Sequence, residues 1–162
     1  MEALSPLIFL LSVPSLSSVV SPSKNPGFRQ QRAVEFHETD AAGLVHFTNL
    51  FRWMEAAELA FLHERDVPVL AVDSVKNSGW PRAAVRAEFL APLRFGDTVE
   101  TRLWVVKIGR SSIQYRFEIW RLNGRGGPHL SATGEITTVH VTRTRGKLQP
   151  APLPAAIRKK LK

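Results

Sequence analysis

The first half of the chain contains one segment with a clear helical period. Residues Leu50 to Arg65 include no glycine or proline and many residues that favour helices, and the potential cap residues Thr48 and Asn49 come directly before them. Polar side chains such as Glu55 and Glu58 form only a narrow stripe, so apolar side chains cover most of the circumference. This pattern predicts a long helix that is buried by more than one surface.

The second half alternates apolar with polar residues, which is the period of strands with one buried face. Short turns at Phe95 to Asp97 and Asn123 to Gly127 leave no room for crossover helices, so neighbouring strands should be antiparallel. The predicted strands are Val85 to Phe89, Val99 to Val105, Ile113 to Ile119 and Leu130 to Thr142, with an earlier strand within Arg29 to Glu38 and a short helix after Pro154. The whole pattern predicts an α+β fold in which an antiparallel β-sheet wraps around a long central α-helix.

Length and composition restrict the number of domains and the chemistry. A chain of 162 residues with 44% hydrophobic content suits one domain with a substantial core. It contains no cysteine, which excludes disulfides, thiolate catalysis and a cysteine-based zinc site. The five histidines lack the helical spacing with acids that a metal triad requires, so we predict neither a metal nor a cofactor.

Residues 1–27 differ in composition from the rest. Leu7 to Val13 is apolar and is followed by a stretch rich in serine and proline. The run is too short for a membrane span, and Glu2 is the only charged residue before Lys24, which does not fit the basic start of a signal peptide. We therefore predict a disordered or targeting-like extension followed by the functional domain at 28–162, located in the cytoplasm, with export or organelle targeting as the alternative.

The net charge of +8 is concentrated at the C-terminus. A solvated basic tail, a surface that attracts phosphorylated ligands, and a nucleic-acid or membrane contact would each explain it. The remainder of the chain is nearly balanced, so we predict no nucleic-acid partner. The basic C-terminal segment is residues 143–162, which contain no acidic residue. Its seven basic residues are Arg143, Arg145, Lys147, Arg158, Lys159, Lys160 and Lys162.

Asp40 is the strongest candidate for chemistry. A carboxylate can activate water as a general base or can attack a carbonyl directly. Gly43 would let the chain fold back, so that Asp40 and the backbone amides around Phe47 and Thr48 face one ligand, and the free amides of a helix N-terminus would polarise its carbonyl. The alternative is that Asp40 only opens a turn before a helix.

The order of residues around Asp40 resembles the 4-hydroxybenzoyl-CoA thioesterase branch of the hotdog-fold superfamily. The resemblance extends from about Phe28 to Lys160. Its blocks are Val34 to Phe36, Thr39 to Val45, Asn49, Arg52 to Ala57, Phe89 to Leu93, Gly96-Asp97 and Leu153-Pro154.

This resemblance implies an acyl-CoA thioesterase that acts on an aromatic or a short to medium aliphatic acyl group. It implies that Asp40 is catalytic, that Gly43 shapes its turn, and that the backbone amide of Phe47 polarises the thioester. The site would lie between subunits of a homodimer or homotetramer. Substrate contacts are expected from His46, Thr48 and Asn49, and coenzyme A phosphate contacts from Lys107, Arg110, Ser111 and Ser112.

Several alternatives stay open at this point. Some relatives carry a Tyr-His pair where this chain has His46-Phe47. His46 either lines the acyl pocket or, as the residue type favours, is a partly buried, hydrogen-bonded histidine. Glu55 could be catalytic or could pair with Arg52 three residues before it. The whole domain could also be a non-catalytic module that binds acyl thioesters or serves in an assembly.

Overall fold

The computed structural model describes residues 26–67, 78–144 and 147–161. Most of the predicted N-terminal extension lies outside these residues. The strands are β1 (Phe28–Ala33), β2 (Ser78–Gly79), β3 (Arg82–Phe89), β4 (Thr98–Ile108), β5 (Ser112–Arg121), β6 (His129–Val139), β7 (Val141–Thr144) and β8 (Lys147–Pro150), and the helices are α1 (Thr48–Glu64) and α2 (Ala155–Lys160), with a 3-10 helix at Phe36–Glu38.

Five antiparallel strands form the main sheet, in the order β1-β4-β5-β6-β3. A second sheet has the order β2-β7-β8. Helix α1 packs on one face of the main sheet, and its Trp53, Met54, Ala57 and Phe61 are at most 1% exposed. The predicted wrapping of an antiparallel sheet around a long helix is therefore what the structure shows, because one apolar helix surface meets the alternating apolar face of the strands.

Two predicted strands have different bounds in the structure. The first ends at Ala33, opposite Thr98 where β4 begins, and the chain then turns into the 3-10 helix. The last is interrupted at His140, whose amide donates to the carbonyl of Ser111 while the chain moves from the main sheet into the second one. Alternation alone did not reveal either break, because both depend on where a partner strand stops.

The C-terminal segment packs against the domain. Leu153 and Leu161 belong to the core. The guanidinium of Arg158 donates to the carbonyls of the turn between β4 and β5, and Lys160 Nζ donates to the Asp66 carbonyl at 2.7 Å. Residues 147–161 therefore pack against the domain through apolar side chains, while Lys147, Lys159 and Lys160 are exposed to solvent.

Candidate active site

Asp40 lies at the start of a tight, exposed loop. Its Oδ1 oxygen accepts hydrogen bonds from the amides of Ala42 at 2.8 Å and Leu44 at 3.3 Å. The Asp40 amide in turn donates to the Leu44 carbonyl at 2.8 Å. Oδ1 therefore has the turn-forming role that aspartate often takes, while Oδ2 has no partner in the described part of the chain. One carboxylate oxygen holds the loop and the other is free to act.

Gly43 makes this loop possible. Its φ of 72° lies in the left-handed region that residues with a Cβ adopt only at a cost. Its amide donates to the Asp40 carbonyl at 2.9 Å, and a bridge between Thr39 and Val45 closes the loop. The predicted reversal of the chain is therefore present, and its function is to bring the residues after Gly43 back alongside Asp40.

Helix α1 begins directly after this loop and presents free backbone donors. Phe47 is its N-cap, without a side-chain cap. The amides of Asn49 and Leu50 donate to the carbonyls of His46 and Phe47, whereas those of Phe47 and Thr48 meet no acceptor among residues 26–67, 78–144 and 147–161. Two unpaired N–H groups at the positive end of a 17-residue helix form a suitable site for a developing oxyanion.

An open apolar cleft of about 420 Å³ adjoins the loop and the helix start. Leu44 and Val45 from the loop line it, together with Leu50 from the first helical turn. The segment Phe89 to Leu93 forms the opposite wall, and Ser131 contributes the one polar side chain among the lining residues. The cleft is not lined by Asp40, Phe47 or Thr48. An apolar group bound in the cleft would therefore lie next to these residues, and they would not enclose it.

The remaining candidates near the helix start have different roles. His46 is exposed, stacks beside the Phe47 ring and places Nδ1 2.8 Å from Thr48 Oγ1. The alternative of a partly buried, hydrogen-bonded His46 is therefore wrong about burial, although the hydrogen bond is present. Asn49 is buried and its Nδ2 donates to the Glu38 carbonyl at 2.7 Å, so its amide group already holds the loop to the helix. Contact between Asn49 and substrate stays a prediction.

The candidates for the coenzyme A phosphates lie far from Asp40 within one chain. These four candidates surround the turn after β4: Lys107, Arg110, Ser111 and Ser112. The Asp40 loop instead contacts the chain before β4 begins, where the Val45 amide donates to the Leu93 carbonyl. Eleven extended residues separate these ends by roughly 33 Å. The structure therefore does not bring the two groups together in a single protomer.

Sequence reasoning missed Arg94 and Glu38. The Arg94 guanidinium lies beside the loop, with Nη1 3.9 Å from where a Cβ on Gly43 would stand. Glu38 is a buried carboxylate two residues before Asp40 that binds the indole of Trp53 at 2.8 Å. The sequence shows that Glu38 and Asp40 are two residues apart. Only the packing of the chain against helix α1 decides that Glu38 is buried and Asp40 is exposed.

The helical acids also differ from the prediction. The partner of Glu55 in the structure is Arg82 on β3 at 3.2 Å, so its expected pairing with Arg52 is wrong. Glu58 is 1% exposed, and burial raises the pKa of its carboxyl despite the Arg82 guanidinium, whose Nη2 lies 2.8 Å away. Both acids turn toward β3 because the sheet covers that side of the helix.

Two further observations concern the described part of the chain alone. No group of histidine, aspartate or glutamate side chains there is arranged to hold a metal ion. The longest helix described, α1, is too short and too polar to span a bilayer.

Comparison with known proteins agrees with this architecture. A 1,4-dihydroxy-2-naphthoyl-CoA hydrolase of Prochlorococcus marinus strain NATL2A is 36% identical over 101 residues, which are 58% of this chain and 64% of that relative. The match thus spans less than two thirds of the relative's length.

Two solved structures share the fold. The dynemicin thioesterase, studied for polyene binding, has a TM-score of 0.75 at 25% identity and covers 83% of this chain and 94% of its own. The 4-hydroxybenzoyl-CoA thioesterase of Pseudomonas sp. strain CBS-3 has a TM-score of 0.73 at 22% identity and covers 82% of this chain and 96% of its own. These likenesses confirm the predicted hotdog fold.

The family comparison covers most of the domain. A sequence profile described as the thioesterase-like superfamily matches residues 34–161, which include the Asp40 loop, helix α1 and all strands from β2 to β8. The chain belongs to the thioesterase-like superfamily.

Proposed function

We propose that this protein hydrolyses the thioester of an aromatic acyl-CoA, with Asp40 as the reacting carboxylate and the amides of Phe47 and Thr48 as donors to the carbonyl oxygen. One observation carries the proposal. Within ten residues and beside an apolar cleft, the chain presents one carboxylate oxygen and two backbone amides that have no partner among the residues described by the structure. Water can solvate each of these solvent-accessible groups singly, so the support for a reaction comes from their occurrence together beside one cleft.

Asp40 could act by two routes, as a general base or as a nucleophile. As a base, the Asp40 carboxylate takes a proton from water while the water oxygen bonds to the carbonyl carbon. The C–S bond then breaks, and the protonated Asp40 returns its proton to the leaving sulfur, which gives the acid and the coenzyme A thiol. As a nucleophile, a carboxylate oxygen bonds to the carbonyl carbon and expels the thiolate, and water then cleaves the resulting anhydride. In both routes negative charge develops on the carbonyl oxygen, where the helix amides stabilise it.

The cleft supports an aromatic acyl group. Its volume of about 420 Å³ accommodates one or two fused rings, and its walls are apolar apart from Ser131. The Prochlorococcus marinus relative is named for a dihydroxynaphthoyl thioester, which has rings of this size. Short and medium aliphatic acyl groups are the competing substrates that an assay must include.

A second copy of the chain would complete the site. Strand β3 is at the edge of the main sheet, and its Val85 and Phe89 are 44% and 51% exposed, which favours pairing with another strand. The wall of the cleft follows directly after β3, so such a homodimer or homotetramer would place the cleft near its interface. Phosphate contacts would then come from Arg94 of the same chain and from the 107–112 turn of another copy.

The test is hydrolysis of a panel of aromatic and aliphatic acyl-CoA thioesters by the wild type, Asp40→Asn and Asp66→Asn. Asp40→Asn should fold normally and lose about a hundredfold or more in kcat, since it removes the base or nucleophile. Asp66→Asn is the control, because it makes the same substitution beyond the distant end of α1, and it should leave kcat unchanged. Equal turnover by wild type and Asp40→Asn would refute the assignment.

A non-catalytic module that binds acyl thioesters is the second candidate. The free helix amides would suit binding alone, but the exposed Asp40 oxygen has no use in it. Saturable binding of an acyl-CoA by the wild type, without release of thiol across the panel, would favour this module over the enzyme.

A further inference from the structure

We propose that Glu38 is a positioning residue that fixes the Asp40 carboxylate relative to the free amides of helix α1. This inference rests on the proposed function, because it concerns the geometry of the same site. Glu38 is 4% exposed and lies two residues before Asp40. Glu38 is not one of the residues that line the cleft, so it would act through the groups that it holds.

The carboxylate of Glu38 connects three elements. Its Oε1 accepts hydrogen bonds from Arg32 Nη2 of β1 at 2.7 Å and from the Trp53 indole of α1 at 2.8 Å. Its Oε2 accepts the amide of Glu35 at 2.9 Å, which closes the 3-10 helix before the loop. The Arg32 guanidinium also lies over the Trp53 ring, 5.1 Å from its centre. Charge-assisted bonds of this kind are short and directional, so they restrain the residue that accepts them.

The carbonyl of the same residue holds the other side of the site. It accepts the His46 amide at 2.9 Å and the Asn49 side-chain amide at 2.7 Å. His46 immediately precedes Phe47, whose own amide is free, and Asn49 is in the first helical turn. Glu38 therefore connects the segment just before Asp40 to the start of helix α1, which carries the proposed oxyanion donors.

The physical reason for such a residue is the sensitivity of the reaction to distance. A misplacement of about 1 Å between reacting groups can lower a rate about a hundredfold. Asp40 is bonded within its own exposed loop, to the amides of Ala42 and Leu44, and these local bonds do not fix the loop relative to helix α1. Glu38 supplies this restraint, because its carboxylate accepts from three donors and its backbone carbonyl accepts from two more.

Glu38→Gln tests the role with little change in volume. The glutamine lacks the charge that Arg32 binds. Its NH2 group would face donors at either position, namely the Glu35 amide at one and the Arg32 guanidinium and Trp53 indole at the other. We expect kcat to fall about tenfold or more, with KM changed by less than about threefold, because the apolar cleft is untouched. Trp53→Phe, which removes one donor to the same oxygen, should lower kcat in the same direction by a smaller factor.

Glu100→Gln is the matched control. Glu100 is also a buried carboxylate, 5% exposed, and it binds Gln31 at 3.0 Å and Arg102 at 2.6 Å, but it lies in β4 and not in the Asp40 loop. Its substitution should leave kcat unchanged. Thermal unfolding of both variants shows how much stability each loses.

A double variant separates positioning from a purely structural effect. If Glu38 acts through Asp40, Glu38→Gln should reduce kcat no further in an Asp40→Asn protein, because the group that it positions is already gone. Unchanged kcat in Glu38→Gln, an equal loss in Glu100→Gln, or an additive loss in the double variant would each overturn the inference while leaving the proposed function intact. A wild type without thioesterase activity across the panel would instead refute the proposed function, and the role of Glu38 with it. If Glu38→Gln does not fold, the kcat of Trp53→Phe with and without Asp40→Asn decides in the same way.

Discussion

The buried ion pair between Glu58 and Arg82 allows a quantitative prediction about stability. Glu58 Oε2 lies 2.8 Å from Arg82 Nη2, although the angle does not suit a directed hydrogen bond, so the contact is mainly electrostatic. Glu58 Oε1 accepts the Thr138 hydroxyl at 3.1 Å. Arg82→Met keeps the apolar part of the side chain and removes the only cation that faces this carboxylate among the described residues.

The expected loss follows from leaving a buried charge unpaired. Removing one partner of a buried pair typically costs about 3–5 kcal/mol, and we expect the lower end because the Arg82 side chain is 24% exposed and Glu58 can take up a proton. About 3 kcal/mol corresponds to a fall in Tm of roughly 6–12 °C for a chain of this size. Glu58→Gln should recover most of this loss in the double variant, since it removes the unpaired charge and keeps the contact with Thr138.

The pH dependence has a definite sign. Burial raises the pKa of Glu58 above its unfolded value, and Arg82 opposes that rise. A raised folded pKa means that protonation favours the folded state, so its contribution is present below the unfolded pKa and is lost as pH rises through the folded pKa. In Arg82→Met the folded pKa rises further, and the destabilisation should shrink as pH falls from about 7 to about 5.

Circular dichroism melts of the wild type, both single variants and the double variant at these two pH values measure the effect. The Tyr115 hydroxyl, which has no hydrogen-bond partner among the described residues, lies in the field of Glu58, and burial raises its pKa, so it stays neutral throughout. A Tm loss in Arg82→Met that is the same at both pH values, or a double variant as unstable as Arg82→Met, would show that lost packing and not an unpaired charge is responsible.

Three further predictions concern other parts of the molecule. Gly134→Ala should destabilise the fold by about 1–3 kcal/mol in urea unfolding, because the new Cβ would overlap the sulfur of Met54 on α1, and Met54→Ala should restore part of the loss. Arg94→Ala should raise KM for an acyl-CoA about threefold to tenfold at low salt with kcat unchanged, and an effect that ionic strength does not reduce would contradict a phosphate contact. Arg158→Ala should cost about 1–2 kcal/mol and speed hydrogen exchange around Gly109, whose carbonyl it binds; Lys159→Ala, on the same short helix, should do neither.

The sequence predicted the elements well where the signal was local. Helix α1 was predicted from Leu50 to Arg65 and runs from Thr48 to Glu64, because an uninterrupted set of helix-forming residues needs no distant partner to be recognised. The strands β4 to β6 also agree with their alternation, whereas β3 forms at the predicted place but leaves Val85 and Phe89 of its apolar set exposed. The break at His140 did not show, since it depends on the carbonyl of Ser111 in a distant turn.

The candidate site divides in the same way. The reversal of the chain at Gly43 followed from the residue type, and the free amides after Phe47 followed from the start of a helix. The roles of Glu38, Arg94 and Arg82 could not be predicted, because their partners are distant in the chain. Glu38 binds Trp53 15 positions away, Arg82 pairs with Glu58 24 positions away, and Arg94 lies beside Gly43, 51 positions away. Nothing in the sequence distinguishes a carboxylate with a buried indole partner from one in solvent.

The sequence by itself determined which segments are helix and strand, and that Asp40 precedes a tight turn and a helix, because hydrophobic period, glycine and capping preferences act over a few residues. Tertiary structure decided which acids are buried, which carboxylate oxygen and amides stay free, and that the 107–112 turn lies at the far end of the sheet from Asp40. Burial and hydrogen-bond partners are set by strand order and by the packing of α1 on the sheet, and these join residues that are far apart in the chain.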